Sequence, residues 1–296
     1  MSFSQEVKEE LLKSLDSARH CRIAELSAYL LFLSNRETAD LDGELCIKSE
    51  NTALLRKCFT LLRKTFNICI DFEPRAVGHH FEISVPLSDA ADLLQATGSP
   101  LCLKNSCCKR AFLKGAYLSV GSMSDPARSY HLEFVCNTKE AATAVCEQLI
   151  ACELCGKLVK RRNAYIAYIK EGTEISTFLS LTGACVSLMN LENTRILKEI
   201  GNNINRQCNC ESANMAKSIN TSTKQKLDVQ YISEHMGLSA LPEHLRIVAE
   251  LRLEVPEETS LKDMAAMLNP PLTKSGLNHR LQKLTAIADE LRQSGS

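Results

Sequence analysis

Two stretches of nine residues stand out in the pattern of apolar and polar positions, because each is apolar on nearly every side. They are Leu26 to Ser34 and Leu113 to Gly121, and they begin 87 residues apart. The second carries small residues at Gly115, Ala116 and Ser119, and small side chains let two helix backbones approach closely. We therefore predict that the two stretches form paired helices within one duplicated domain.

The same order of elements follows each of these helices: two strands, a helix, two strands and a helix. In the first half, Asp42-Gly43 predicts a hairpin turn because both positions favour positive φ. Asn51 in the first half and Thr138 in the second predict helix starts. The further predicted elements are a helix to about Phe66, strands Asn67 to Phe72 and Phe81 to Val85, a helix Leu87 to Ala96, a strand Tyr130 to Cys136, a helix Lys139 to Cys152, strands Lys157 to Arg162 and Ala164 to Lys170, and a helix Glu174 to Leu181.

The chain becomes more polar after Met189. Helices are predicted at Leu191 to Ile204 and Ala213 to Met236, separated by the polar segment Asn205 to Asn214. Gly237 is expected to end the second helix. Three short helices are then predicted at His244 to Leu253, Leu261 to Leu268 and Lys274 to Leu284, the last with Leu277, Leu281 and Leu284 facing the core.

The predicted fold class is therefore α+β, with a duplicated αββαββα domain followed by an all-α domain. Two short helices, a tight connection and a cationic third helix are typical of a helix-turn-helix. The predicted division is residues 1–100 for the N-terminal helix and first repeat, 101–198 for the second repeat, 199–238 for a polar helical linker and 239–296 for the helix-turn-helix domain.

The composition is that of an ordinary globular protein, with 45% hydrophobic and 24% charged residues. The longest apolar run is too short to cross a membrane. The first residues form an amphipathic helix pattern rather than a targeting signal. We therefore expect a cytoplasmic protein without membrane contact.

Fourteen cysteines are present, and in a reducing compartment they are expected to be free thiols. Only Cys152 and Cys155 have CxxC spacing, whereas a zinc site normally needs two such pairs or added histidines. His79 and His80 are expected on the surface of a hairpin. We expect no metal ion, with a site at the CxxC pair as the alternative.

The formal net charge is zero, so contact with DNA must depend on local basic clusters. On the third helix of the final segment, short polar side chains suit base edges and cations suit phosphates. The residues proposed there are Lys274, Ser275, Asn278, His279, Arg280 and Lys283. Arg280 has an alternative role as an ion-pair partner of Glu258 or Asp263.

A second basic cluster lies on two adjacent predicted strands. Strand alternation lets at most about half of its members share one face of a sheet. These possible contacts to the DNA backbone are Lys157, Lys160, Arg161, Arg162 and Lys170.

The paired helices resemble the nine-residue helices of LAGLIDADG homing endonucleases. In active members of that family, the eighth residue of each helix is an acid, and the two acids hold the divalent ions that activate water. Leu33 and Val120 occupy those positions here, and neither offers the oxygen ligands that hard cations need. The resemblance therefore implies a LAGLIDADG-like domain with no catalytic residues.

The LAGLIDADG-like pair without acids, joined to a helix-turn-helix, resembles the WhiA family of bacterial DNA-binding regulators. Matching stretches span almost the whole chain: Lys109 to Leu118, Ser124-Asp125-Pro126 with Ser129 to Glu133, Lys170-Glu171-Gly172, Asn205 to Asn214 and Pro270 to Leu281.

This resemblance implies a transcription regulator linked to cell division, chromosome segregation or sporulation. We expect it to be nucleoid-associated, to bind double-stranded DNA and to need no cofactor, with a further protein partner possible in transcription or division. Two other functions stay open: a protein-docking scaffold with little sequence-specific DNA binding, and a metal-dependent nuclease. The oligomeric state is not predicted.

Overall fold

The computed structural model describes residues 1–34, 43–70, 75–77 and 79–294, and it contains two compact units, 1–198 and 199–296. Asp42 of the predicted turn lies outside the described residues, and Gly43 has the predicted positive φ, 69°. The predicted strand Asn67 to Phe72 is wrong over residues 67–70, where Asn67 ends the preceding helix with φ of 57°, and its last two residues lie outside the described ranges. The four-part division of the chain stays a prediction. None of the helices in the described ranges combines the length and apolar composition that a membrane span requires.

The N-terminal unit consists of two halves that follow a short first helix. The described elements are α1 (Phe3–Lys13), α2 (Arg19–Leu33), β1 (Glu44–Ser49), α3 (Thr52–Phe66), β2 (Arg75–Val77), β3 (His80–Pro86) and α4 (Leu87–Gly98), then α5 (Ser106–Val120), β4 (Gly121–Met123), β5 (Leu132–Cys136), α6 (Lys139–Ala151), β6 (Lys157–Arg161), β7 (Ala164–Ile169) and α7 (Gly172–Thr182).

The predicted order of elements is confirmed in full for the second half. Its strands form an antiparallel sheet in the order β4-β5-β7-β6. In the first half the described strands pair in the order β1-β3-β2, and Ser34 forms a bridge to Ile47. The predicted caps are also confirmed, because Asn51 accepts a hydrogen bond from the amide of Ala53, and Thr138 accepts one from that of Ala141.

Helices α2 and α5 approach each other closely at Gly115. A Cβ atom added at Gly115 would lie 2.8 Å from the carbonyl oxygen of Glu25 and 2.9 Å from the Cβ of Ala28. Contacts that short essentially never occur, so the helices could not keep this spacing if residue 115 had a side chain. The predicted role of the small residues is confirmed at this position.

The two halves share one hydrophobic core. Leu26 and Tyr29 of α2 are fully buried in it together with Leu113 and Tyr117 of α5. The ring of Tyr117 also meets Phe178 edge-on, with ring centroids 5.7 Å apart. Because each half alone would leave its first helix exposed on one side, the pair of halves is the unit that buries a core.

Charged side chains are buried where α2, α3 and α5 meet. The carboxylate of fully buried Glu25 lies 2.8 Å from Lys57 Nζ and 3.2 Å from Lys114 Nζ, and it accepts a hydrogen bond of 2.7 Å from Tyr29. Lys114 Nζ is also 2.6 Å from Asp16. Two cations thus face two carboxylates, which satisfies the rule that buried charges are paired.

The two buried lysines respond differently to this environment. For Lys57, burial outweighs the attraction of Glu25 and lowers the pKa. For Lys114, burial opposes protonation, but the negative charges of Glu25 and Asp16 outweigh it and raise the pKa. Lys114 therefore holds its charge more firmly because it has two acidic neighbours.

The C-terminal unit contains most of a long helix, α8 (Cys185–His235), followed by α9 (Glu243–Glu254), α10 (Leu261–Ala266) and α11 (Lys274–Ser294). The predicted interruption of α8 at Asn205 to Asn214 is wrong. The side chains of this segment are exposed and mostly polar. The segment contains no Gly or Pro that would break the backbone hydrogen bonds of the helix. Gly237, with φ of 76°, follows the helix as predicted.

A small core holds the last three helices against the end of α8. The three leucines predicted to face inward are buried, with Leu277 fully buried and Leu281 and Leu284 1% exposed. Val229 and Ile232 of α8 join the same core. The end of α8 is therefore part of the helical C-terminal unit.

We expect Gly115→Ala to lower the free energy of unfolding of the N-terminal unit by up to about 2 kcal/mol. Overpacking costs about 1–3 kcal/mol, and the better helix propensity of Ala returns up to about 1 kcal/mol. Urea titration followed by tyrosine near-ultraviolet circular dichroism measures this unit, because only Tyr231 of the six tyrosines lies outside it. Gly98→Ala is the control, since no atom lies within 4 Å of the added Cβ. Equal stability of the two variants would contradict the close-packing argument.

We expect Glu25→Gln to cost about 3–5 kcal/mol, because it leaves two buried ammonium groups facing one carboxylate. Tyr29→Phe removes only a donor to the same carboxylate and should cost about 1.5–3 kcal/mol. The same urea titration measures both. The network would be shown to be unimportant for folding if Glu25→Gln cost no more than Tyr29→Phe.

Candidate nucleic-acid interface

The first turns of α11 form an exposed polar surface. Thr273 precedes the helix and caps it, because its hydroxyl accepts a hydrogen bond of 3.1 Å from the amide of Gly276. Lys274, Ser275, His279 and Lys283 are exposed, and Asn278 is half-buried. Leu261, Thr273, Lys274, Ser275 and Asn278 line an open hollow between the start of α10 and the start of α11.

Arg280 is held differently from the other predicted residues of this helix. Its guanidinium donates a hydrogen bond of 3.2 Å to the carbonyl oxygen of His244, at the start of α9. Asp263 instead accepts a hydrogen bond from Ser260 at 2.7 Å. Arg280 therefore hydrogen-bonds to the backbone of the neighbouring helix. Its alternative role as an ion-pair partner of Glu258 or Asp263 is wrong.

The strand register divides the second basic cluster between the two faces of the sheet. Residues directly opposite in an antiparallel pair lie on the same face. Lys157 pairs with Tyr168, and Val159 pairs with Ile166, whereas Leu158 pairs with Ala167. Since Ala167 is fully buried in the core, Leu158 lies on the face toward the helices, and Lys157 lies on the other face.

Two strand cations and one residue beyond the strand share that outer face. Arg161 has the same parity as Lys157 along β6, and both are exposed. Lys170 follows β7, and its ammonium lies 5.3 Å from the ring centroid of Tyr168. Lys160 has the opposite parity, and its ammonium lies 5.5 Å from the ring centroid of Tyr165, which packs against the core. Arg162 lies in the β6–β7 turn, with φ of 52°.

The sheet of the first half is not basic in the same way. Lys48 on β1 pairs in register with Glu82 on β3, and their charged groups lie 3.4 Å apart. An exposed cation beside a carboxylate adds little net attraction for phosphate. Within the described strands, the outer face of the second sheet is therefore the better candidate for contact with a polyanion.

Leu33 and Val120, the positions that the resemblance assigns to lost acids, are the last residues of α2 and α5. Leu33 and Val120 are half-buried and pack against the core. Their aliphatic side chains supply packing at the helix ends but no oxygen atom for a divalent cation.

The structure brings together cysteines other than the pair singled out by CxxC spacing. Cys152 packs against the core, and Cys155 is exposed. Cys21 instead lies close to Cys107 and Cys108, and burial together with a hydrogen bond to Cys107 raises its pKa to about 12. A thiol with a raised pKa is a poor nucleophile at neutral pH.

A sequence pattern could have identified this cluster. His20-Cys21 and Cys107-Cys108 are separated by the same 87 residues as the two nine-residue stretches. Each pair therefore occupies the same place at the start of a duplicated helix, α2 or α5. A search by spacing within one segment does not find ligands that the pairing of two repeats brings together.

Comparison with known proteins relates both units to one family. The family model described as the WhiA LAGLIDADG-like domain matches residues 109–201. The model described as the WhiA C-terminal HTH domain matches residues 204–288. The two matches together cover the second repeat, the long helix α8 and the helices that follow it.

Similar proteins match over the whole chain. A probable cell division protein WhiA from Lachnoclostridium phytofermentans is 44% identical over 316 residues, covering 99% of this chain and 100% of the relative. One from Clostridium botulinum is 36% identical, with 99% of each chain covered. The crystal structure of full-length DUF199/WhiA from Thermotoga maritima matches with a TM-score of 0.64 and 26% identity, over 98% of this chain and 99% of that one.

We expect the double variant Lys157→Gln/Arg161→Gln to weaken binding to DNA of any sequence. Each lost phosphate contact should reduce the slope of log affinity against log salt by about 0.9, so both together reduce it by about 1.8. Fluorescence anisotropy with a random duplex over a salt series measures the slope. Lys160→Gln is the matched control, because it removes a charge from the same strand on the opposite face. An equal change in both proteins would contradict the assigned face.

Proposed function

Because this chain belongs to the WhiA family, we propose that it is a sequence-specific DNA-binding transcription regulator that acts in cell division and has no nuclease activity. The names of the relatives support the link to division. We extend the proposal to chromosome segregation and, in a spore former, to sporulation. The protein would act in the cytoplasm at the nucleoid.

One observation carries the proposal of DNA recognition: the first turns of α11 are exposed and contain cations but no acid. From Lys274 to Lys283 the helix has three cations and His279, while its leucines face inward. A recognition helix needs this division, because one side must hold the domain together while its N-terminal turns enter the major groove.

The residues of this surface suit two kinds of contact. Ser275 and Asn278 carry short hydrogen-bonding side chains that can reach base edges, and Asn favours adenine. Lys274 and Lys283 suit phosphates, which set position and affinity but not sequence. Arg280 uses one of its donors on the carbonyl of His244, so we assign it to positioning α11 with its remaining donors available for phosphate.

The LAGLIDADG-like unit would strengthen binding to DNA without cleaving it. Lys157, Arg161 and Lys170 can meet phosphates from the outer face of the second sheet. Leu33 and Val120 replace the acids that a cleaving relative uses, so the hard divalent ions of that chemistry have no ligands there. Magnesium-dependent nicking of a plasmid by the purified protein would contradict this part of the proposal.

A second candidate function is a protein-docking scaffold of the division machinery. The observation that favours it is the pairing of Lys48 with Glu82, which leaves the first sheet without a one-sided basic charge. If cells that carry neutral residues in place of Lys274, Arg280 and Lys283 divide normally, that result would support the scaffold over the DNA-binding regulator.

We expect Asn278→Ala to cost about 1–3 kcal/mol on the preferred site and to relax sequence choice at one base position. The preferred site is first obtained by selection from a random duplex library with the full chain. Anisotropy titrations of that site and of its single-base variants then measure the change. Asn203→Ala is the control, because Asn203 is exposed on α8. Unchanged preference in the Asn278 variant would refute the assignment of the recognition surface.

A further inference from the structure

Four side chains with soft ligand atoms meet at the N-terminal ends of α2 and α5. They are His20 and Cys21 on α2 and Cys107 and Cys108 on α5, and their potential ligand atoms all lie within 4.8 Å of one another. Each helix supplies an adjacent pair from the same place in its first turns. The packing of α2 on α5 therefore brings the two pairs together.

We propose that these four residues bind one zinc ion that joins the two repeats. Three thiolates and one imidazole form the Cys₃His set of structural zinc sites. A set of sulfur and imidazole ligands suits a borderline-soft ion and disfavours magnesium and calcium, which need oxygen. The proposal is independent of DNA binding, because it concerns how the N-terminal unit is held together.

The distances fit a tetrahedral ion after small adjustments. His20 Nδ1 lies 3.2 Å from Cys108 Sγ, 3.3 Å from Cys21 Sγ and 3.9 Å from Cys107 Sγ. With Zn–S of about 2.3 Å and Zn–N of about 2.0–2.1 Å, a tetrahedral N···S edge is about 3.6 Å. The three N···S distances lie within a few tenths of an ångström of this edge, and all four ligand atoms lie within 4.8 Å of one another.

The surroundings supply an entry path and compensating charge. A cavity of about 260 Å³ borders Cys21 and Cys107, and Arg110, Lys114 and Asp16 also line it. A zinc ion with three thiolates carries one net negative charge, which the guanidinium of Arg110 can offset, whereas Lys114 is already paired with Asp16 and Glu25. Cys21 and Cys108 are buried and Cys107 is half-buried, whereas His20 is exposed, so the sulfur ligands are the shielded side of the site.

The bound ion would link the N-terminal ends of α2 and α5. The two helices also contact each other near their middles, at Gly115 and Glu25, and Leu33 and Val120 lie at their C-terminal ends. The proposed zinc site is thus distinct from the position where a cleaving LAGLIDADG protein holds its ions. Its expected effect is to stabilise the N-terminal unit, because a metal that binds only the folded state shifts folding by mass action.

The first experiment measures metal in the full-length wild-type protein. The protein is expressed in zinc-supplemented medium, purified under reducing conditions without a metal-affinity step, and analysed by inductively coupled plasma mass spectrometry. We expect about one zinc per chain. Replacement by cobalt should give the visible d–d bands of a tetrahedral ion and a thiolate-to-metal charge-transfer band in the near ultraviolet.

Thiol protection then tests Cys107 as a ligand without any substitution. Alkylation of the zinc-loaded protein, followed by peptide mass spectrometry, should leave the half-buried Cys107 unmodified, and a chelator should make it reactive. Cys155 is an internal control because it is exposed and should react in both states. A disulfide among the three cysteines in freshly lysed cells, in place of zinc, would overturn the proposal.

Variants give the matched comparison. Cys107→Ser/Cys108→Ser should reduce bound zinc to near zero and lower the melting temperature, whereas Cys152→Ser/Cys155→Ser should keep about one zinc per chain. Loss of zinc in the CxxC variant but not in the Cys107/Cys108 variant would overturn the assignment. So would wild-type protein that neither contains zinc nor binds it after reduction and reconstitution; these two tests hold even if the Cys107/Cys108 variant fails to fold.

Discussion

The close contact between α2 and α5 is the constraint on which the N-terminal unit depends. The helices approach so closely at Gly115 that a single added carbon would touch the backbone of Glu25. This spacing places residues of both repeats in one core, with Tyr29 and Tyr117 fully buried. A looser contact would separate that core into two parts, each too small to bury its own apolar residues.

Buried charges make this contact specific as well as tight. Ion pairs in a protein core often contribute little net stability compared with apolar side chains of similar size, because desolvation costs nearly as much as attraction returns. Buried ion pairs instead restrict the relative positions of the helices that carry them. Lys114 on α5 must reach Glu25 on α2 and Asp16 just before it, and Lys57 on α3 must reach Glu25 from another side. Glu25 thus links three helices through two lysines.

Local charge matters more than total charge in this molecule. The formal net charge is zero, yet α11 opens with an acid-free basic surface, and one sheet face collects Lys157 and Arg161. The first sheet balances Lys48 with Glu82 instead. The duplicated halves have therefore kept a common arrangement of helices while their outer sheet faces differ in charge, which lets one of them contribute more than the other to binding a polyanion.

Much of the fold follows from the sequence, because it depends on local chemistry. Capping residues such as Asn51 and Thr138, the spacing of the leucines on α11 and the small residue Gly115 act within a few turns of their own helix. For the same reason the sequence predicts which residues of α11 face the core. It fails at Asn205 to Asn214, where a polar composition suggests a break but the helix continues with exposed side chains on every side.

Tertiary structure decides whatever depends on partners far apart in the chain. Strand register, rather than the run of basic residues, separates Lys157 from Lys160, because neighbouring positions on a strand point to opposite faces. The carbonyl of His244 determines the position of Arg280. His20 and Cys108 are 88 residues apart, yet 3.2 Å separates their ligand atoms. The sequence alone determined the duplicated helices that carry these two residues, but only the packing of one helix on the other could set that distance.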